Sequence, residues 1–403
     1  MKKFTYEAKD GSSNKIVKAT VQADSEQSAA KLLLQQGLTP YDIKETRGSG
    51  NPLARLSQRV TTKDRVVFTR QLSTLISAGL PLAQSLRTVL DQTSNQQLAS
   101  IIQDVITSVE AGRTIHESFA KHPGVFDKLF LALIASGEAS GTLDESLRRI
   151  ADQQEKDATV MSRIRGALTY PAIVLVVIIS VLVFMLLTVV PQVERLYVNQ
   201  KKDLPLPTQI MVSASDFMTN FWWIIALILI VGGYALFHYA KTEAGIALLD
   251  RLKLHTPVFG GMFHKLYMAR FSRTGQTLLV SGVPMLDMLH IAGEAVNNTV
   301  ITAEIARATD KVKGGKALST ALQSEEYILP LVPQMIKIGE QSGRIDEMLG
   351  KLAKVYEDEL DEEIRTLSTA IEPVLMVILA IVAGSMMAAI FLPIYNLVNT
   401  VSV

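Results

Sequence analysis

The chain has 403 residues, 48% of them hydrophobic and 20% charged, which allows two or three domains and leans toward a membrane protein. A net charge of +1 lacks the basic excess of a nucleic-acid-binding surface, so proteins are the expected partners. The absence of cysteine excludes disulfides, zinc thiolate sites and cysteine nucleophiles.

No apolar stretch follows MKKF within residues 1–30, so no cleavable signal peptide is expected and the first membrane helix must direct insertion. Residues 1–46 read as a small α/β module. Phe4, Tyr6 and Ala8 alternate, then Val17, Ala19 and Val21 do so beyond a turn at Asp10 to Asn14, which predicts two short strands. Asp24 or Ser25 can cap a following helix that Gly37 stops. Residues 47–60 carry Gly, Ser, Asn and Pro in place of an apolar pattern and read as a linker.

From 61 to 170 the apolar spacing is helical: Val67, Leu72, Leu75 and Ile76, then Leu82, Leu86, Val89 and Leu90, then Leu98, Ile101, Ile102, Val105 and Val109. Gly79 with Pro81, and Thr93 to Asn95, separate these three helices. Further helices at about 114–121, 126–137 and 142–168 complete an antiparallel bundle. Ala172 to Val190 carries no charge and would span about 28 Å as a helix, close to the bilayer core of about 30 Å. A membrane helix is therefore expected at 171–190, with Pro171 in its first turn, where its missing amide hydrogen costs nothing. A loop at 191–220 follows, with LPLPT at 204–208, and then a second apolar segment at 221–239.

Much of this order then recurs. Phe68, Arg70, Gly79, Pro81 and Gly112 return 203 positions later as Phe271, Arg273, Gly282, Pro284 and Gly315. Gly137, Glu138, Gly141, Asp144, Glu145, Pro171 and Pro191 return 202 later as Gly339, Glu340, Gly343, Asp346, Glu347, Pro373 and Pro393. A second bundle at 240–372, a membrane helix at 373–393 and a short tail at 394–403 are thus expected. Two copies in the same orientation require one unduplicated return crossing, the place of segment 221–239. The fold class is mainly α: a polytopic membrane protein with two homologous helical bundles, three transmembrane helices and the small N-terminal module. Lys241, Arg251, Lys253 and Lys265 follow the second membrane helix and no Lys or Arg follows the third. Both bundles are therefore expected in the cytoplasm, with 191–220 and the C-terminus outside.

GEASGTLDE and GEQSGRIDE can each be a helix stop at glycine followed by acids in the first turn of the next helix. The other reading makes Glu138, Asp144 and Glu145, with Glu340, Asp346 and Glu347, a partner or cation site framed by Gly137, Gly141, Gly339 and Gly343. In neither motif is the serine placed as in a nucleophile elbow, KGGKALS at 313–319 lacks the residues of a phosphate loop, and the six histidines form no HExxH pair. No catalytic, cofactor or metal site is expected. EDELDEE at 357–363 reads as an amphipathic helix with a solvated acidic side; alternatively that side, Glu359 and Glu362 included, docks a basic partner. Ala380, Gly384 and Ala388 form a small-residue stripe on the third membrane helix that suits close packing within or between subunits.

The duplicated F-x-R and G-x-P elements, the paired GE-x-SG-x-(L/I)DE motifs, the YP and EP entries to the membrane helices and the LPLPT segment resemble the F-domain family. These are the inner-membrane platform proteins of type IV pilus and type II secretion machines, and the resemblance runs over residues 1–403. It implies a multi-pass inner-membrane protein with its N-terminus in the cytoplasm, homo-oligomeric and without enzymatic activity. Such a platform couples a cytoplasmic hexameric assembly ATPase to polymerisation of major and minor pilins or pseudopilins, beside inner-membrane alignment proteins. A small secondary transporter is the rival suggested by the repeat, but no ionisable residue lies deep in any apolar segment. A membrane receptor would need an outside domain larger than 191–220.

Overall fold

The computed structural model describes residues 2–10, 16–23, 28, 30, 38–45, 59–199, 206–257 and 259–401. The chain divides into two compact units, residues 1–64 with 92–102, and residues 65–91 with 103–403.

In the first unit, β1 (Lys2–Asp10) is flanked by β2 (Ile16–Ala23) and β3 (Leu38–Glu45) in an antiparallel sheet of order β2-β1-β3. Tyr6 lies opposite Ala19 on one side and Ile43 on the other. The third strand has no counterpart in the alternation read from sequence. Its Pro40 is compatible with an edge position, where one amide needs no strand partner. The helix expected after Asp24 lies outside the described residues but for Ser28 and Ala30, and so does the linker but for Arg59 and Val60. In the same unit the Asp64 carboxylate accepts from the Thr61 amide and hydroxyl and from the Asn95 side chain, all at 2.9 Å.

Two sets of six helices carry the duplication. The first is α1 (Thr62–Ser77), α2 (Leu82–Gln92), α3 (Gln96–Glu110), α4 (Ile115–Ala120), α5 (Lys128–Ser140) and α6 (Leu143–Phe184). A π-helical turn at Met185–Val189 and α7 (Val190–Asn199) prolong α6. Next come α8 (Leu206–Asn220), α9 (Trp222–Tyr239) and α10 (Glu243–His255), which have no repeat partner. The second set is α11 (Gly260–Val280), α12 (Met285–Ala295), α13 (Thr299–Lys313), α14 (Leu318–Gln323), α15 (Leu331–Ser342) and α16 (Ile345–Val401). Gly79, Gly112 and Gly141 have positive φ, and so do Gly282, Gly315 and Gly343, so the turns recur as backbone and not only as letters. Phe68, Phe119, Phe126 and Phe130 fill the first bundle, with Phe119 and Phe126 rings 4.6 Å apart.

Among the described residues, three helices are long and apolar enough to cross a membrane, in the stretches Leu143–Arg195, Trp222–Tyr239 and Ile345–Phe391. The break expected before Pro171 is absent: Pro171 sits in the interior of the 42-residue α6, and Pro373 inside the 57-residue α16. A proline removes one hydrogen bond, while the amphipathic turns before it and the apolar turns after it both favour helix, so each rod survives the loss. Neither Pro191 nor Pro393 ends a helix either. The segment expected as a loop after Pro191 is helical throughout its described length, as α7 and α8.

That last helix has a definite job. Within the π-helical turn the Val190 amide donates to Met185 O, and Pro191 has no amide hydrogen, so the Leu186 carbonyl loses its helical donors. Ser215 of α8 supplies one, its Oγ donating to Leu186 O at 2.6 Å in a buried position. In the other copy Pro393 cannot donate to Ala389 O, and Thr208 Oγ1 donates to it at 3.1 Å, also buried. Thr208 and Ser215 lie two turns apart on one face of α8, at 1% and 2% exposure. Leu186, Val190 and Val212 close an apolar cluster around them. Replacing Ser215 by Ala, or Thr208 by Val, strands a buried carbonyl and should cost about 1–3 kcal/mol each. Thermal unfolding in detergent should show both losses, with Ser213→Ala, on the exposed face of the same helix, unchanged.

Candidate functional site

The two glycine-glutamate motifs are helix elbows. Gly141 ends α5 with φ 74°, and its amide and that of Thr142 return to Gly137 O; Gly343 ends α15 with φ 69°, and its amide and that of Arg344 return to Gly339 O. At Gly137 a Cβ would run into the Ser146 side chain, and at Gly339 it would lie 2.8 Å from the Ile345 Cα, so both glycines allow close approach of the next helix. The Glu138 carboxylate accepts from the Ile115 amide at 2.7 Å and the His116 amide at 3.0 Å, pinning the start of α4. Glu340 does the same for α14, accepting from the Ser319 amide at 3.2 Å and from its hydroxyl. Asp144 and Glu145 occupy the first turn of α6, Asp346 and Glu347 that of α16. Glu145 pairs with Arg149, and Glu347 with Arg344 and Lys351. Among the described residues no three His, Asp or Glu side chains converge to hold a metal ion.

Charge concentrates instead where the rods α6 and α16 meet α1 and α11. Arg70 grips Glu155 through two 2.6 Å hydrogen bonds and reaches Asp152 at 2.6 Å; Arg273 grips Glu357 at 2.8 and 2.7 Å. These are the same bidentate pair in the two copies. Its arginines were visible in the repeat, and Glu155 and Glu357 stand at the same spacing, so the pairing was findable from sequence. The acidic run is largely spent inside the chain. Glu357 holds Arg273, Glu359 and Glu363 share Lys265 at 3.2 and 2.6 Å, and Asp361 pairs with Arg163 of the first rod. Asp358 and Glu362 are exposed, while Tyr356, Leu360 and Ile364 are buried. Ala380 and Gly384 are exposed and Ala388 is partly buried, and a Cβ on Gly384 would meet nothing within 4 Å, so among the described residues nothing packs against Gly384.

The copies also touch directly. Ser136 Oγ donates to Ser281 O, and Lys128 pairs with Glu294 at 2.7 Å. Between the rods, Asp157 of α6 lies in a narrow cleft with Arg270 and Arg273 of α11 and Glu357 of α16. Burial pushes the Asp157 carboxyl above its ordinary range, and Arg270 and a hydrogen bond from Gln153 offset this only in part. A carboxyl raised in the folded state costs stability once ionised: the cost is nil below the ordinary carboxylate range and complete above the folded value. Asp157→Asn should therefore raise the thermal midpoint at about pH 8, with the gain vanishing toward about pH 4, as a melting series across pH would record.

The arrangement binds and positions rods. Its history is legible in known proteins. The family model described as type II secretion system (T2SS), protein F matches residues 68–191 and again 271–393, and the model for the N-terminal domain of type II secretion system protein F matches residues 1–44. A type IV pilus assembly protein PilC of Thermus thermophilus is 36% identical, covering 99% of both chains. One from Myxococcus xanthus is 34% identical over 99% of this chain and 95% of its own length. A type II secretion system protein F of Pseudomonas aeruginosa is 32% identical over 98% of this chain and 99% of its own. Two matched copies, an N-terminal match and end-to-end relatives leave one conclusion: the chain belongs to the type II secretion system protein F family.

Proposed function

We propose that this protein is the inner-membrane platform of a type IV pilus or type II secretion machine, coupling a cytoplasmic hexameric assembly ATPase to polymerisation of pilins or pseudopilins. The observation that carries the reading is the pair of continuous helical rods. Each runs from a bundle into an apolar stretch without a break at its inner proline, the first continuing through a π-helical turn near its far end. The Arg163–Asp361 pair links them on the bundle side and α8 holds both at the far end. A helix carries displacement along its axis because every turn is hydrogen-bonded to the next, which suits transmission of a stroke generated elsewhere. In this reading the chain is not an enzyme. Its N-terminus and both bundles face the cytoplasm, it acts as a homo-oligomer, and it works beside inner-membrane alignment proteins. The Lys and Arg residues after α9 support that orientation.

In intact cells an impermeant thiol reagent should label Asn220→Cys and spare Lys313→Cys; both positions are exposed and the native chain has no cysteine to interfere. Equal labelling of the two would overturn the orientation. The purified protein should turn over no ATP but bind its ATPase. Because Lys265 holds Glu359, the outward acids to reverse are Asp358 and Glu362. Asp358→Lys with Glu362→Lys should weaken ATPase binding more at low salt than at high salt. A folded, inserted variant that binds normally would remove the acidic face from the contact, and ATP turnover free of any co-purifying ATPase would sink the platform reading.

A further inference from the structure

Helix α10 carries a row of large apolar side chains that stand exposed among the described residues. Leu248, Leu249 and Leu252 are 48%, 42% and 53% exposed and share one face, with Ile246 beside them at 39%. The opposite face is locked down. Buried Asp250 accepts from the Thr299 amide at 2.9 Å and hydroxyl at 3.1 Å and pairs with Lys253 at 2.9 Å, and Leu254 is buried beside it. With Asp250 clamped to the start of α13, α10 cannot roll to hide its leucines. Exposure of this kind on a soluble surface marks an interaction site.

The position of α10 identifies the occupant. Only three residues separate it from α9, none of whose side chains is buried. The turn between them is tight: the Thr242 amide and hydroxyl donate to Tyr239 O at 3.0 and 2.7 Å, and a Cβ at Gly245 would collide with that same carbonyl. The chain therefore bends sharply at the end of α9 instead of continuing along its axis. At the bend, Lys241 Nζ stands 3.9 Å from the centre of the Phe237 ring, and exposed Arg251 follows on α10. A helix of 13 residues is about 20 Å long, so one running straight away from a bilayer would carry Leu252 about 15 Å into water. Lying along the surface, it sets Leu248, Leu249 and Leu252 at one depth.

We propose that α10 is an interfacial helix that seats Leu248, Leu249 and Leu252 in the headgroup and upper acyl region of the lipid leaflet from which α9 emerges, fixing the height of the second bundle against the membrane. This rests on the reading that α9 crosses the bilayer. The partner is lipid: an apolar face with cations at its flanks, continuous with a membrane span, matches a surface-bound helix.

The test uses the full-length protein in phosphatidylcholine vesicles whose acyl chains are brominated near the headgroup or near the bilayer centre. A polarity-sensitive fluorophore is placed on single cysteines at Leu248, Leu252, Leu229 within α9, and Lys313 on the exposed surface of α13. At 248 and 252 the shallow bromines should quench more than the deep ones, to within about twofold of the strongest quenching at 229. At 229 the deep bromines should win, and at 313 neither should act. Quenching at 229 with 248 and 252 behaving like 313 overturns the interfacial placement alone. No quenching at 229 overturns the membrane reading and this inference with it. Disulfide-linked dimers through Leu252→Cys without lipid quenching assign the face to a second copy of the chain and overturn the proposal.

Discussion

A peptide carbonyl inside a membrane-crossing helix needs a donor, because lipid offers none, and a proline one turn later withdraws the donor that the helix would have given. Both duplicated rods carry such a proline near the far end, Pro191 and Pro393. The structure meets the shortage from outside the repeat, with Ser215 and Thr208 on a single helix. A duplicated defect is thereby answered by an unduplicated part. Because α8 serves both carbonyls with one face, the two rods cannot separate at that end without breaking one of these hydrogen bonds and leaving a carbonyl unsatisfied.

At the bundle end the same rods are held by charge. The Arg70–Glu155 and Arg273–Glu357 forks fix each rod to the helix that opens its own copy, and Arg163–Asp361 joins rod to rod. These pairs are partly exposed, so their value lies in direction more than in stability. The elbows at Gly141 and Gly343 add the complementary constraint. A left-handed residue closes α5 and α15, and the preceding glutamate ties the turn to the short helix before it. Of the motif residues that look like a ligand cluster in the sequence, Glu138 and Glu340 are engaged with backbone amides and Glu145 and Glu347 with neighbouring cations in the folded chain.

The repeat made the helix order, the three apolar spans and the two elbows readable in advance. Spacing of Gly79, Gly112 and Gly141 against Gly282, Gly315 and Gly343 carried backbone information that hydropathy could not. What the letters did not give was continuity. Pro171 reads locally as a helix start, and only the cost balance over the whole α6 rod decides that one lost hydrogen bond is tolerated. Nor could the roles of Thr208 and Ser215 be read, since a hydroxyl in an apolar segment acquires meaning only when another helix presents an orphaned carbonyl to it. Asp157 was hidden for the same reason: its cleft is made by three helices far apart in the chain.

The position of Ser215 and Thr208 along the chain has a bearing on how the protein is made. Synthesis from the N-terminus delivers Pro191 and its stranded carbonyl first, and Ser215 arrives soon after, so the first rod can be completed while translation continues. Thr208 arrives in the same helix before its partner carbonyl, at residue 389, has been translated and inserted. The last apolar segment therefore enters the membrane toward a hydroxyl already waiting for it, and its docking is the step that closes the chain.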